Sequence, residues 1–233
     1  TDQRLADQAK AWGHEYSVLL KTTGYSVGLS SKYPITVQEK IIDGMHHGAL
    51  HCSSNGIEIF VIHLSPFKWA KRTEEAEILS PRIEREIQGG KNVIVCGDFN
   101  AFSPVDSDWY QERKQVLERS KEGDKKNDKV ENLREETYDY SVLSKFYSLG
   151  LSDRGTDFID SGNDRISFPS RVFAKNEEEQ KKLDEGGIRI DYILSSYNLV
   201  DKWISSQIYN GPEAYFLSDH YPVEAIFDLP INR

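Results

Sequence analysis

Methionine occurs once and cysteine twice in the 233 residues. Two cysteines cannot build a disulfide framework, which excludes the small stapled secreted folds. Cys52 and Cys96 both lie in apolar, strand-like segments and read as buried free thiols. No group of Cys and His has the spacing of a zinc site. No run approaches the roughly 18 apolar residues of a membrane-spanning helix, so no integral membrane segment is expected. A long basic run is absent too: 29 Lys and Arg face 38 Asp and Glu, for a net charge of −9. Contacts to phosphates supply most non-specific affinity for nucleic acid, so this balance favours a small molecule over a long nucleic acid. The densest cationic patch, Lys68 to Arg72, reads either as a phosphate-facing rim or as the start of a solvated helix. There is no internal repeat and no low-complexity linker, so residues 1–233 read as a single domain.

What is present is the composition of a folded globular chain, 38% hydrophobic and 11% aromatic. Leu5, Ala9 and Trp12 fall at helical spacing, with Gly13 to end the turn. Strands are expected at residues 16–20, 27–30, 37–42, 49–53 and 57–64, the last two flanking the hairpin signal Asn55-Gly56. The stripe Ala76, Leu79, Ile83, Ile87 predicts a helix over 73–87, kinked or broken by Pro81. A strand over 92–97 is followed by helices near 109–119 and 138–149, the second packing through Val142, Leu143 and Phe146. The charged stretches 120–136 and 177–185 read as solvated, the second as an inserted loop. Strands return at 189–195, 203–209 and 222–228. His46, His47 and His51 crowd one segment, which reads as a surface loop leading into a strand. The aromatic residues Trp69, Trp109, Tyr110, Tyr138 and Tyr140 read as core.

Three polar segments carry chemistry. Gly97-Asp98-Phe99-Asn100 ends the apolar run Val93 to Cys96. Residues two apart at the end of a strand share a face, so a carboxylate and an amide point the same way. On its own the tetrapeptide reads equally well as a turn. Arg189-Ile190-Asp191-Tyr192 alternates like a half-buried strand. Ser218-Asp219-His220-Tyr221-Pro222 opens the last apolar strand. Together they supply an imidazole, a carboxylate to orient it, and carboxylates for a divalent cation.

In this order the three segments resemble the endonuclease/exonuclease/phosphatase superfamily. Its members include pancreatic-type deoxyribonuclease, abasic-site endonucleases, inositol polyphosphate phosphatases and bacterial sphingomyelinases. His63, in Val61-Ile62-His63-Leu64-Ser65-Pro66, is a fourth match, and Gly28 to Ile35 a weaker fifth. The resemblance runs from Tyr16 to Phe227 and does not select a branch. It implies an α/β (α+β) fold: two stacked, mainly antiparallel β-sheets flanked by helices, a four-layer sandwich of the deoxyribonuclease-like type. It also implies a phosphorylated substrate and Mg2+ or Mn2+. Asp98 would activate water or assist the leaving oxygen, and Asn100 would hold a phosphoryl oxygen. His220 would face the phosphate with its ring fixed by Asp191. Asp219, with Asp98, would bind the metal or its waters. His63 would be a second phosphate-facing imidazole, either an acid or a positioner.

The superfamily opens with a strand ending in Gln-Glu, whose Glu is the principal metal ligand. Gln38-Glu39 follows Tyr33-Pro34-Ile35 instead of preceding it, and so is not that motif. The expectation is therefore a metal-dependent phosphoesterase with its first strands missing, weak or inactive in this form. The alternatives are a catalytically silent phosphate-binding module of the same fold, or a nuclease acting on DNA or RNA.

Overall fold

In the computed structural model, which describes residues 1–22, 24–159 and 162–230, local sequence signals account for most elements. Helix α1 (Asp2–Ala11) is capped by Thr1, whose hydroxyl accepts the Arg4 N–H. Strands β1 (Tyr16–Leu20) and β2 (Val27–Ser31) form an antiparallel pair. Strands β3 (Ile35–Ile41), β4 (Ala49–Ser54) and β5 (Ile57–His63) form a meander. Asn55 and Gly56, at φ 50° and 79°, make its tight turn, as their pairing predicts.

Helix α2 (Trp69–Gln88) then carries the chain across to β6 (Asn92–Asp98), which runs parallel to β5. Helices α3 (Ser107–Glu112) and α4 (Lys114–Lys126) follow, then the short pair β7 (Leu133–Arg134) and β8 (Thr137–Tyr138). Next come α5 (Ser141–Ser148), β9 (Leu151–Ser152), α6 (Gly155–Phe158) and α7 (Glu177–Gly186). Strand β10 (Asp191–Ser196) and the pair β11 (Trp203–Ile208) and β12 (Val223–Phe227) complete the fold.

The six-stranded sheet has the order β3-β4-β5-β6-β10-β9. Alternation along β5 shows how its faces are used. Phe60 and Ile62 point to one side, where Ala76, Leu79 and Ile83 of α2 and Val142, Leu143 and Phe146 of α5 close the main core. Val61 points to the other, where Leu20, Val27, Leu50 and Cys52 place β1 and β2 against the sheet. A third cluster, with Trp109, Tyr110, Ile166 and Tyr221, packs the α3–α4 segment against the chain before β12. The expected α/β layout of sheets with outer helices holds. Among the described residues, hydrogen bonding divides the strands into this one large sheet and three two-stranded pairs.

Four local expectations need correction. Pro81 does not end α2, which runs through it for 20 residues under an apolar stripe buried on the sheet. The helix expected over 109–119 is two helices meeting at Arg113, whose guanidinium donates to the carbonyls of Gly187, Asp184 and Glu185. The charged stretch 177–185 is helix α7, not a loop; the Asn176 side chain caps it and three glutamates fill its first turn. Arg72 in the cationic patch is buried, donating to the Ser65 carbonyl and to Asn132. It ties α2 to the preceding loop and to the segment before β7, and it faces no solvent. No helix among the described residues is long and apolar enough to cross a membrane.

Candidate active site

The site is built by strand register. Parallel pairing of β5 with β6 sets His63 opposite Asp98, and antiparallel pairing of β6 with β10 sets Asp98 opposite Asp191. Three adjacent strands thus end in a row of imidazole, carboxyl and carboxylate. Gly97 makes the row possible. It sits at φ 135°, and a Cβ there would lie 2.0 Å from the Ile62 carbonyl oxygen. Only glycine lets β5 and β6 approach this closely at their ends.

Beyond the strand the chain turns through Asn100 at φ 48°. The Asn100 N–H donates to Asp98 Oδ1 (2.8 Å), and its Nδ2 donates to Asp98 Oδ2 (3.1 Å) and to the Leu64 carbonyl (3.0 Å). Strand and turn readings of Gly-Asp-Phe-Asn are therefore both correct: the strand delivers Asp98 and the turn folds Asn100 back onto it. The fourth member comes from the loop before β12. His220 Nδ1 lies 2.8 Å from Asp191 Oδ2, and its Nε2 lies 3.9 Å from Asp98 Oδ2. That loop is held by the Ser170 N–H donating to the Asp219 carbonyl and the Tyr221 N–H to the Ser167 carbonyl. The Ser167 hydroxyl accepts the N–H groups of Ile190 and Asp191, which joins both segments.

Charge in this row is unbalanced. Burial, and then the facing Asp191 carboxylate, push the Asp98 carboxyl up to about 7. Burial pulls His220 down, but the hydrogen bond to Asp191 and the charges of Asp191, Asp98 and Asp219 outweigh it. The net result holds His220 above the ordinary histidine value. His63 goes the other way. Burial and the imidazoles of His47, His220 and His46 bring it to about 4. Its 3.4 Å contact with Asp98 is thus a neutral imidazole beside a carboxyl group and not an ion pair. These residues line a cleft of about 360 Å³ whose other walls include Tyr25, His47, Phe168 and Ile190. Among the described residues, no Lys or Arg lines it.

The family model of the endonuclease/exonuclease/phosphatase family matches residues 1–220. The chain belongs to this family. The 3′ phosphatase NExo from Neisseria, bound to product DNA hairpin, is similar at 19% identity and TM-score 0.69, over 98% of this chain and 86% of that one. An AP endonuclease from Archaeoglobus fulgidus is similar at 20% identity and TM-score 0.67, with the same coverage of 98% and 86%. The 3′-5′ exonuclease NExo from Neisseria meningitidis gives 20% and 0.67, over 96% of this chain and 83% of that one. At such identities these likenesses show a shared fold. No curated protein sequence matches the chain.

Of the residues singled out from the family motifs, His63, Asp98, Asn100, Asp191 and His220 come together. Asp219 lines the same cleft but is exposed, its carboxylate accepting the Ser218 hydroxyl. Ligand atoms of Asp98, Asp191 and His220 all lie within 4.8 Å of one another, a group Asp219 does not join. The two carboxylates suit a hard divalent cation. A second group, His51, Glu58 and Glu86, is gathered where β4 and β5 face the end of α2.

The histidine-rich segment is a loop leading into β4, with His46 exposed, but its other two histidines are buried. His47 is 3% exposed and His51 1%. His51 stacks on Phe60, its Nε2 3.0 Å from Glu58 Oε2, inside the sheet–helix layer. His47 reaches the cleft from the β3–β4 connection, and Phe168 lies over His220 at 4.6 Å. Sequence reasoning missed both. A pair of histidines before a strand was the one signal for His47, and Phe168 left none. Gln38-Glu39 is confirmed as unrelated to the site: Glu39 pairs with Arg82 of α2.

Proposed function

We propose that the chain hydrolyses phosphoesters. The observation that carries this reading is the in-register row His63–Asp98–Asp191, closed by His220 and left with excess negative charge. Asp191 holds the His220 ring and, against burial, raises its affinity for a proton. In its protonated form His220 faces the charge that builds on the phosphoryl oxygens. Asp98, about 4 Å from that ring, takes the proton of the attacking water as the new P–O bond forms and the ester P–O bond breaks. Asn100 orients Asp98 through its backbone N–H and its Nδ2. His63 stays uncharged and supplies a hydrogen bond from the opposite wall.

Mg2+ or Mn2+ fits the donor set of Asp98 and Asp191, with Asp219 at the rim. Bound there, it would polarise the phosphate and offset charge in the transition state. A cleft without Lys or Arg, in a chain of net charge −9, supports a compact phosphoester over a long polyanion. The Neisseria 3′ phosphatase bound to a DNA hairpin and the Archaeoglobus AP endonuclease support a second reading, in which the phosphoester belongs to a nucleic-acid end.

The test is a panel of phosphomonoesters and phosphodiesters, including a 3′-phosphorylated oligonucleotide, assayed with Mg2+ and with Mn2+. Turnover lost in Asp98→Ala and in His220→Ala supports the reading. No turnover, together with phosphate binding by calorimetry, would favour a silent phosphate-binding module. Activity on the oligonucleotide that falls steeply with salt would favour the nucleic-acid reading.

A further inference from the structure

His47 stands out among the residues of the cleft. It is 3% exposed, yet neither ring nitrogen has a hydrogen-bond partner. A neutral imidazole always carries one donor and one acceptor, and buried polar atoms almost always find partners. Burial and the neighbouring His46 bring His47 down to about 4, so the ring is uncharged at neutral pH. Leucine would fill this space without burying two polar atoms. The position is therefore not built for stability alone.

Its surroundings show what it is built against. The His47 ring lies over the His63 ring, centroids 4.0 Å apart and planes 36° apart. His46 meets its far side edge-on at 4.3 Å, and Tyr25 covers it at 5.8 Å. The backbone is clamped on both flanks. The fully buried Glu75 carboxylate accepts the N–H groups of His46 (2.5 Å) and Ser65 (2.7 Å), so α2 fixes the β3–β4 connection to the end of β5. The Thr22 hydroxyl donates to the His47 carbonyl at 3.0 Å. Gly24 closes the Nδ1 edge, where a Cβ would lie 3.0 Å away. The clamped backbone sets the ring against His63, tilted by 36°.

We propose that His47 is a positioning residue that holds the His63 ring against Asp98 in the wall of the cleft. This rests on the phosphoester-hydrolase reading. A flat ring clamped behind His63 limits its rotation, so its nitrogen meets the bound phosphoester in one orientation. Leucine fills the volume but offers no flat face, and His63 gains freedom. Losing about 1 Å of placement at a reacting centre costs on the order of a hundredfold in rate.

The experiment compares wild type with His47→Leu by melting, by steady-state kinetics on the best ester of the panel, and by 15N signals of the histidine rings. The expected result is an unchanged or higher Tm and a kcat/KM lower by about ten- to a hundredfold, with kcat falling more than KM rises. The His63 ring signals move from one tautomer to a mixture. A lower Tm with unchanged activity per folded molecule and an unchanged His63 tautomer overturns the proposal. His47→Met, which also fills the volume without a flat face, is read the same way if His47→Leu does not fold. Wild type without turnover on any ester would overturn the hydrolase reading. The His63 tautomer, measured in wild type and variant with inorganic phosphate present, still decides the role of His47: no difference overturns it.

Discussion

Two charged clusters grow from one short segment, and they are built on opposite terms. Arg189 is 2% exposed and sits between Asp106, at 3.0 Å, and Asp153, at 2.8 Å. Arg165 adds a second guanidinium to Asp106 at 3.1 Å. Two carboxylates meet two guanidiniums, and the Arg189 charge is held far above the range in which it could be lost, its partners outweighing burial. Two residues further on, Asp191 faces Asp98 with the His220 imidazole within 4 Å of both. The first cluster pairs its carboxylates with guanidiniums inside the fold. The second opens into the cleft. Buried charge that is balanced holds a fold together, and buried charge that is unbalanced marks where chemistry is done.

Perturbing each cluster should break the comparison in a different observable. The largest effect is on rate: His220→Ala lowers kcat/KM by about 10²–10⁴-fold while Tm moves little, as kinetics and melting together would show. Next is a stability effect from the balanced cluster. Arg189→Met strands the buried Asp153 carboxylate and leaves Asp106 with Arg165 alone, and should cost about 3–5 kcal/mol in denaturant unfolding. If it instead left stability intact and removed activity, the division between the clusters would be wrong. Gly97→Ala lies between the two classes. It forces β5 away from β6 and should cost roughly 1–3 kcal/mol and lower the rate as well, because His63 loses its register with Asp98. The smallest effect is cation linkage. Mg2+ at ten times its Kd should raise stability by about 1.4 kcal/mol, and Asp98→Asn should remove that gain in a melting series.

Much of the site was legible in the sequence because strands transmit register. The family resemblance singled out Gly97-Asp98, Arg189-Ile190-Asp191 and His63, and once their strands are neighbours the register brings them together. His220 was legible for a different reason, its place beside a carboxylate just before the last strand. The illegible parts depend on partners distant in sequence. Helix α7 has no buried residue to set an apolar stripe, and its last turn is met by Arg113 and Arg119, more than 60 residues earlier. Arg72 reads as a surface cation until Asn132 is seen against it. Pro81 reads as a breaker until the burial of α2 on the sheet is counted. His47 was hidden because a lone imidazole in a connection has no pattern, and its meaning comes from Glu75, Gly24 and His63 around it.

The most direct measurement applies one chemical change to both clusters. Asp98→Asn and Asp106→Asn are each assayed for phosphoester hydrolysis at a temperature where both remain folded. Asp98→Asn should lose at least about a hundredfold in kcat/KM with its melting temperature unchanged or raised, because one of two facing acids has lost its charge. Asp106→Asn should melt earlier and keep its rate per folded molecule. Full activity in Asp98→Asn, or a loss that simply follows its melting, would contradict the account.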